Sequence, residues 1–135
     1  MSKISLVSII DDDAIFQFTA KKLLKSTDLV DQILQFSDGE KAIDYFKVNK
    51  SIPENIPDLV FLDINMPYLD GWQFLDELKT ISFAKELITI YICTSSNSLF
   101  DQQRFTEYPN LKGYLIKPID KNKITEVVKK ELGLI

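Results

Sequence analysis

The chain has 135 residues, 45% of them hydrophobic, with a formal net charge of -4 and a pI near 4.8. That length suits one domain with a single core, and the acidic balance offers no electrostatic footprint for nucleic acid or an anionic membrane surface. With no histidine and one cysteine, Cys93, the composition excludes Ser-His and Cys-His catalysis, His-metal sites, an internal disulfide and a phosphohistidine carried by the chain itself.

Taken in chain order, apolar runs alternate with helical patterns. KISLVSII (3–10) reads as a buried strand. Residues 14–26 carry Phe16, Ala20, Leu23 and Leu24 at helical spacing. QILQF (32–36) is a strand, and the helix after it is expected to start on Ser37 as cap, with Ala42, Ile43 and Phe46 on one face. NKSIPENIP is a loop punctuated by Pro53 and Pro57. DLVFLD is the most apolar strand, and WQFLDELKTI places Phe74, Leu75, Leu78 and Ile81 along one helical stripe, with Trp72 read as a packing residue. LITIYICT is another buried strand, in which Cys93 reads as a small hydrophobe. Residues 97–107 give a weaker helix whose only clear apolar pair is Leu99 and Phe100. GYLIK (113–117) is a short strand, and a last helix over about 120–132 turns Ile124, Val127, Val128 and Leu132 inward. Lys121, Lys123, Lys129 and Lys130 then fall on its solvated outer face.

No apolar run approaches the ~18 residues of a membrane span. LVSII is too short, and too soon followed by aspartates, for a signal peptide, so a cytoplasmic location is expected.

Five βα units with strands apolar throughout predict a doubly wound α/β sandwich around a parallel sheet. Function in such folds sits just beyond the carboxyl ends of the strands. There the sequence places Asp11-Asp12-Asp13, Asp63, Thr94-Ser95-Ser96 and Lys117-Pro118. If the first and third strands are neighbours, about 4.8 Å apart, their carboxylates converge and repel, raising one another's pKa. A magnesium ion would resolve that repulsion and leave coordination positions open for phosphate oxygens. Lys117 and Thr94 would supply a charge and a hydroxyl for a phosphoryl group. The apolar run LVFL would then serve to aim Asp63 as the nucleophile in phosphoryl transfer.

IIDDDAIF, LVFLDINMPYLDG, ICTSS and YLIKP, in that order, resemble the motifs of two-component response-regulator receiver domains, over essentially the whole chain. The resemblance implies a flavodoxin-like sheet in the order 2-1-3-4-5, and a single receiver domain over residues 1–135 with no output domain. It implies magnesium (or manganese) held by Asp11, Asp12, Asp63 and the backbone carbonyl of Asn65. It makes Asp63 the phosphoacceptor, Lys117 the phosphoryl-contacting lysine before a cis proline, and Thr94 and Tyr114 the switch pair. Met66, Pro67, Asp70 and Gly71 fit the loop that follows the phosphoacceptor. Asp13 is not a fixed position and is expected to cap the first helix. Ser96 falls where the lifetime of the phosphoryl group is tuned.

The implied activity is that of a signalling phosphoacceptor, not an enzyme acting on an external substrate. The implied partners are a sensor histidine kinase or histidine phosphotransfer protein and a downstream protein, with no nucleic acid or membrane. Phosphorylation would switch the surface of helix 4, strand 5 and helix 5, through which many receivers form homodimers. Two other readings compete. One is a pseudo-receiver that only binds. The other is a haloacid-dehalogenase-like phosphohydrolase with Asp11 as nucleophile and Asp13 as acid/base, which leaves LDINMPYLDG unexplained.

Overall fold

The computed structural model describes residues 2–85 and 87–135. In chain order the elements are β1 (Ile4–Ile10), α1 (Ala14–Ser26), β2 (Val30–Phe36), α2 (Gly39–Asn49), a 3-10 turn at Pro53–Asn55, β3 (Leu59–Leu62), α3 (Gly71–Leu78), β4 (Thr89–Thr94), α4 (Leu99–Phe105), β5 (Leu111–Ile116) and α5 (Lys121–Glu131). The strands form one parallel sheet in the order β2-β1-β3-β4-β5, so the expected doubly wound flavodoxin-like architecture is observed.

Every residue of β3 and β4 is buried, as a strand covered on both faces requires. On one face Ala20 and Leu24 of α1 meet Ile124, Val127 and Val128 of α5 over Val7, Ile9 and Phe61. On the other, α2 and α3 bring Ile43, Phe46, Phe74 and Leu75 onto Ile10, Val60, Leu62 and Ile92. Each such side chain contributes roughly 1.5–3 kcal/mol by leaving water. Phe46 is central on that second face, with aromatic contacts to Phe36, Tyr45, Phe74 and Phe83.

Several sequence expectations are corrected. The cap of α2 is Asp38, not Ser37: its extended backbone lets the carboxylate accept the Lys41 N–H at 2.8 Å, and its charge suits the helix N-terminus. α3 ends at Leu78, leaving Ile81 beyond it. The 49–57 loop contains the 3-10 turn, and Ile56 is fully buried. Leu99 and Phe100 do not form the inner face of α4; they lie in its first turn at 75% and 66% exposure, while Phe105, one turn on, packs inward. β5 begins at Leu111, ahead of the expected 113.

Candidate functional site

The strand register brings the acidic residues together. Ile10 pairs with Leu62 and Leu62 with Ile92, so β1, β3 and β4 end nearly level. Asp11 and Asp63 are the next residues on their strands, and the Asp63 N–H donates to the Ile10 carbonyl at 3.0 Å. Carboxylate oxygens of Asp11, Asp12 and Asp63 lie within 4.8 Å of one another. Asp11 and Asp63 are 1% and 5% exposed, whereas Asp12 faces solvent.

Lys117, carried past β5 by a cis Lys117-Pro118 bond, reaches between the buried acids. Its Nζ is 2.8 Å from Asp11 Oδ2 and 3.8 Å from Asp63 Oδ2. The Phe16 ring of α1 lies 4.3 Å from the same ammonium and holds it by a cation–π contact. Lys117 is also anchored through its backbone, which donates to the Thr94 carbonyl at 2.8 Å. Asp11 Oδ1 accepts the Asp13 N–H at 2.8 Å, while the buried Asp11 Oδ2 faces the Lys117 ammonium. Asp13 itself caps α1, accepting the Ile15 and Phe16 N–H groups, as the sequence suggested.

Burial pushes the Asp11 carboxyl up to about 6, against the pull of Lys117. Burial likewise raises Asp63, again opposed by Lys117. Desolvation leads on Asp11, and the Asp11–Asp63 repulsion expected from the sequence is the smaller effect. On Lys117, burial works against the ammonium, but Asp11 and Asp63 outweigh it and raise its pKa. Cys93 is fully buried, and desolvation pushes its thiol far up, which suits an inert packing role.

The far wall comes from β4 and the loop after it. Thr94 is fully buried, and its Oγ1 accepts from Asn65 Nδ2 at 3.4 Å and from the Ser96 N–H at 3.3 Å. The Asn65 N–H in turn donates to Asp63 Oδ1 at 3.3 Å. Tyr114 is half-buried, packs edge-on against Phe105, and donates from its hydroxyl to the Ser96 carbonyl at 2.8 Å. The candidate residues Asp11, Asp12, Asp63, Asn65, Thr94 and Lys117 thus surround one small volume, and Tyr114 reaches it through Ser96.

Three positioning contacts escaped the sequence reading. Gln17 of α1 donates its side-chain amide to the carbonyls of Ile9, Asp11 and Phe36, pinning the ends of β1 and β2 behind the acids. Asp70 and Gln73 form a reciprocal capping box at the start of α3. Beside it, the Gly71 N–H donates to the Ile64 carbonyl at 3.1 Å, folding the 64–70 loop back onto β3. A Cβ on Gly71 would stand 2.6 Å from both the Asp63 carbonyl oxygen and the Ile64 Cα. The third contact is that of Asp101, which gathers donors from three directions. It accepts from Trp72 Nε1 at 3.2 Å, Ser96 Oγ at 2.6 Å and Ser98 Oγ at 3.1 Å. Only the Ser98-x-x-Asp101 spacing hinted at this, as a helix cap.

The family model for the response regulator receiver domain matches residues 7–129. Among curated relatives, Protein PilG of Pseudomonas aeruginosa is 32% identical over 123 residues, spanning 91% of this chain and 84% of that protein. Chemotaxis protein CheY of Bacillus subtilis is 25% identical over 127 residues, spanning 94% and 97%. Among solved structures, a two-component response regulator from Cytophaga hutchinsonii superposes with a TM-score of 0.81 at 26% identity, covering 97% of this chain and 98% of that one.

Proposed function

This chain belongs to the response regulator receiver family, a family of signalling modules, and from that premise we propose that it accepts a phosphoryl group on Asp63 from a phosphohistidine of a partner kinase or phosphotransfer protein. The observation that carries the reading is the placement of Lys117 between two buried carboxylates, with the Thr94 hydroxyl on the opposite wall. In the transfer, an Asp63 carboxylate oxygen attacks phosphorus in line. The P–N bond to the partner's imidazole breaks as the O–P bond forms, and the imidazole leaves as the neutral base after taking a proton. The Lys117 ammonium meets the charge growing on one phosphoryl oxygen, and the Thr94 hydroxyl, turning from its present partners, donates to another.

The donor set fits a hard divalent cation. Three carboxylates supply oxygens only, and those oxygens converge within 4.8 Å of one another. Asp11, Asp12, Asp63 and the Asn65 carbonyl would hold magnesium, which supplies positive charge to neutralise phosphoryl oxygens. The chain's own part is to keep those oxygens converged. β1 and β3 fix Asp11 and Asp63, Gln17 pins the backbone behind Asp11, and the Gly71 contact closes the loop that carries Asn65.

Incubation with magnesium and a small acyl-phosphate donor, followed by intact mass, tests the reading. One phosphoryl adduct is expected on the wild type and none on Asp63→Asn. Asp11→Asn should form it more slowly. An adduct that survives Asp63→Asn would remove Asp63 from the nucleophile's role and turn attention to Asp11. No adduct with the small donor or with a phosphorylated histidine kinase would make the chain a binding module that is not phosphorylated.

A further inference from the structure

Ser96 is a hub. Its N–H donates to Thr94 Oγ1, its carbonyl accepts from Tyr114, and its hydroxyl donates to Asp101 Oδ2 at 2.6 Å. Asp101 holds the next link, accepting from the Trp72 indole on its other oxygen. Trp72 has a single N–H and no acceptor, so Asp101 satisfies its only polar group. The indole is 4% exposed and lies stacked on Tyr108, with ring centroids 5.3 Å apart and planes at 25°. The Arg104 guanidinium of α4 sits 5.7 Å from the same ring. Slight burial pushes the Asp101 carboxyl up, but the hydrogen bonds from Ser96, Trp72 and Ser98 outweigh it and hold it below the ordinary range. Asp101 is therefore a charged acceptor whose hydrogen bonds are the strong kind.

α4 has no fully buried residue, and its apolar anchor is the half-buried Phe105. Its ties to α3 run through Asp101 and Arg104, both onto Trp72. A displacement of Ser96 must therefore carry Asp101 with it or break a 2.6 Å charge-assisted bond, and where Asp101 follows, what the Trp72 indole meets changes.

We propose that Asp101 is a positioning residue that couples the state of Thr94 to the packing of Trp72, so that phosphorylation is transmitted along Thr94–Ser96–Asp101–Trp72 to the α3–α4 side of the molecule. This route is separate from the one through Tyr114, although both start at Ser96. It rests on the phosphoacceptor reading, because the event that moves Thr94 is the arrival of a phosphoryl group on Asp63.

Trp72 is the only tryptophan in the chain, so tryptophan fluorescence reports its surroundings, and the Ser96 and Asp101 variants isolate this route. Emission is followed while the acyl-phosphate donor and magnesium are added, with intact mass giving the phosphorylated fraction in the same sample. The wild type is expected to change emission in proportion to the adduct. Ser96→Ala removes the Ser96 link to Asp101 but leaves the bonds to it from Ser98 and Trp72. It should keep the wild-type emission before phosphorylation and lose most of the change per adduct formed. Asp101→Ala should shift emission before phosphorylation and lose the change, whereas Asp101→Glu, which can still accept from that helix position, should restore part of it.

Full adduct on the wild type without an emission change overturns the proposal, and so does an undiminished change per adduct in Ser96→Ala. Absence of adduct instead defeats the phosphoacceptor reading. The coupling is then read from Thr94→Ala, which removes the acceptor of the Ser96 N–H: it should shift Trp72 emission in the wild-type background and not in Ser96→Ala. No shift in either background overturns the coupling.

Discussion

Helices α2 and α4 lie on the same face of the sheet, on either side of α3, and they are attached by opposite means. α2 drives Ala42, Ile43 and Phe46 into the core, and Phe46 alone touches four aromatic rings. α4 has no fully buried residue and is held by Asp101, Arg104 and the half-buried Phe105. Apolar burial has no preferred direction and is lost only by moving a whole side chain into water. A hydrogen bond between polar groups can be exchanged for another with little net change. The molecule thus has a rigid apolar flank and an exchangeable polar one. The polar flank continues into the site, where Asp11, Asp63 and Lys117 are also held by charge.

The largest expected effect comes from breaking the apolar flank. Phe46→Ala should cost about 3–5 kcal/mol in denaturant unfolding, while the fraction that remains folded still takes phosphate on Asp63. Retention of near-wild-type stability would show that α2 is no firmer than α4.

A smaller effect sharpens the contrast through pH. Without a bound metal ion, Asp11 binds its proton more readily when folded, at about 6, than at its ordinary value of 3.8. The folded form is therefore favoured as pH falls; the penalty is complete above the folded value and gone below the ordinary one. Asp11→Asn should be more stable than wild type by roughly 1–3 kcal/mol above about pH 7, and the two should converge near pH 4. Measured as urea unfolding against pH with chelator present, a constant difference across that range would count against the burial of a charged Asp11.

The smallest effect belongs to the outer surface of α4. Leu99→Ala, at a position 75% exposed, should change stability by less than about 0.5 kcal/mol. A loss near that of Phe46→Ala would place Leu99 in a contact and erase the distinction between the two helices.

Much of this was legible in the sequence, for reasons that particular residues make plain. DLVFLD could only be a strand covered on both faces, and its terminal Asp63 announced itself by being charged where its neighbours were not. The same contrast revealed Asp11, Thr94 and Lys117, since polar groups at the ends of apolar strands are expensive unless partnered. What stayed hidden depends on tertiary contacts between ordinary residue types. Nothing in the string AIFQF says that Gln17 will span three carbonyls from two strands. Leu99 and Phe100 looked like an inner face because periodicity over seven residues cannot tell the first turn's outside from its inside. Asp101 drew no notice, because its partner Trp72 is 29 residues away.

The close approach of Gly71 to Asp63 has a consequence for how this chain can vary. Chemistry is usually sought in residues that bring charge, yet here the backbone of Asp63 is fitted against a position that brings no side chain at all. Even a methyl group there would press on the Asp63 carbonyl and on Ile64 together, and backbone cannot rotate out of the way as a side chain can. Sequence drift can therefore exchange an exposed position such as Leu99 readily, while the second residue of the Asp70-Gly71 pair is as narrowly bound as the aspartate it never touches chemically.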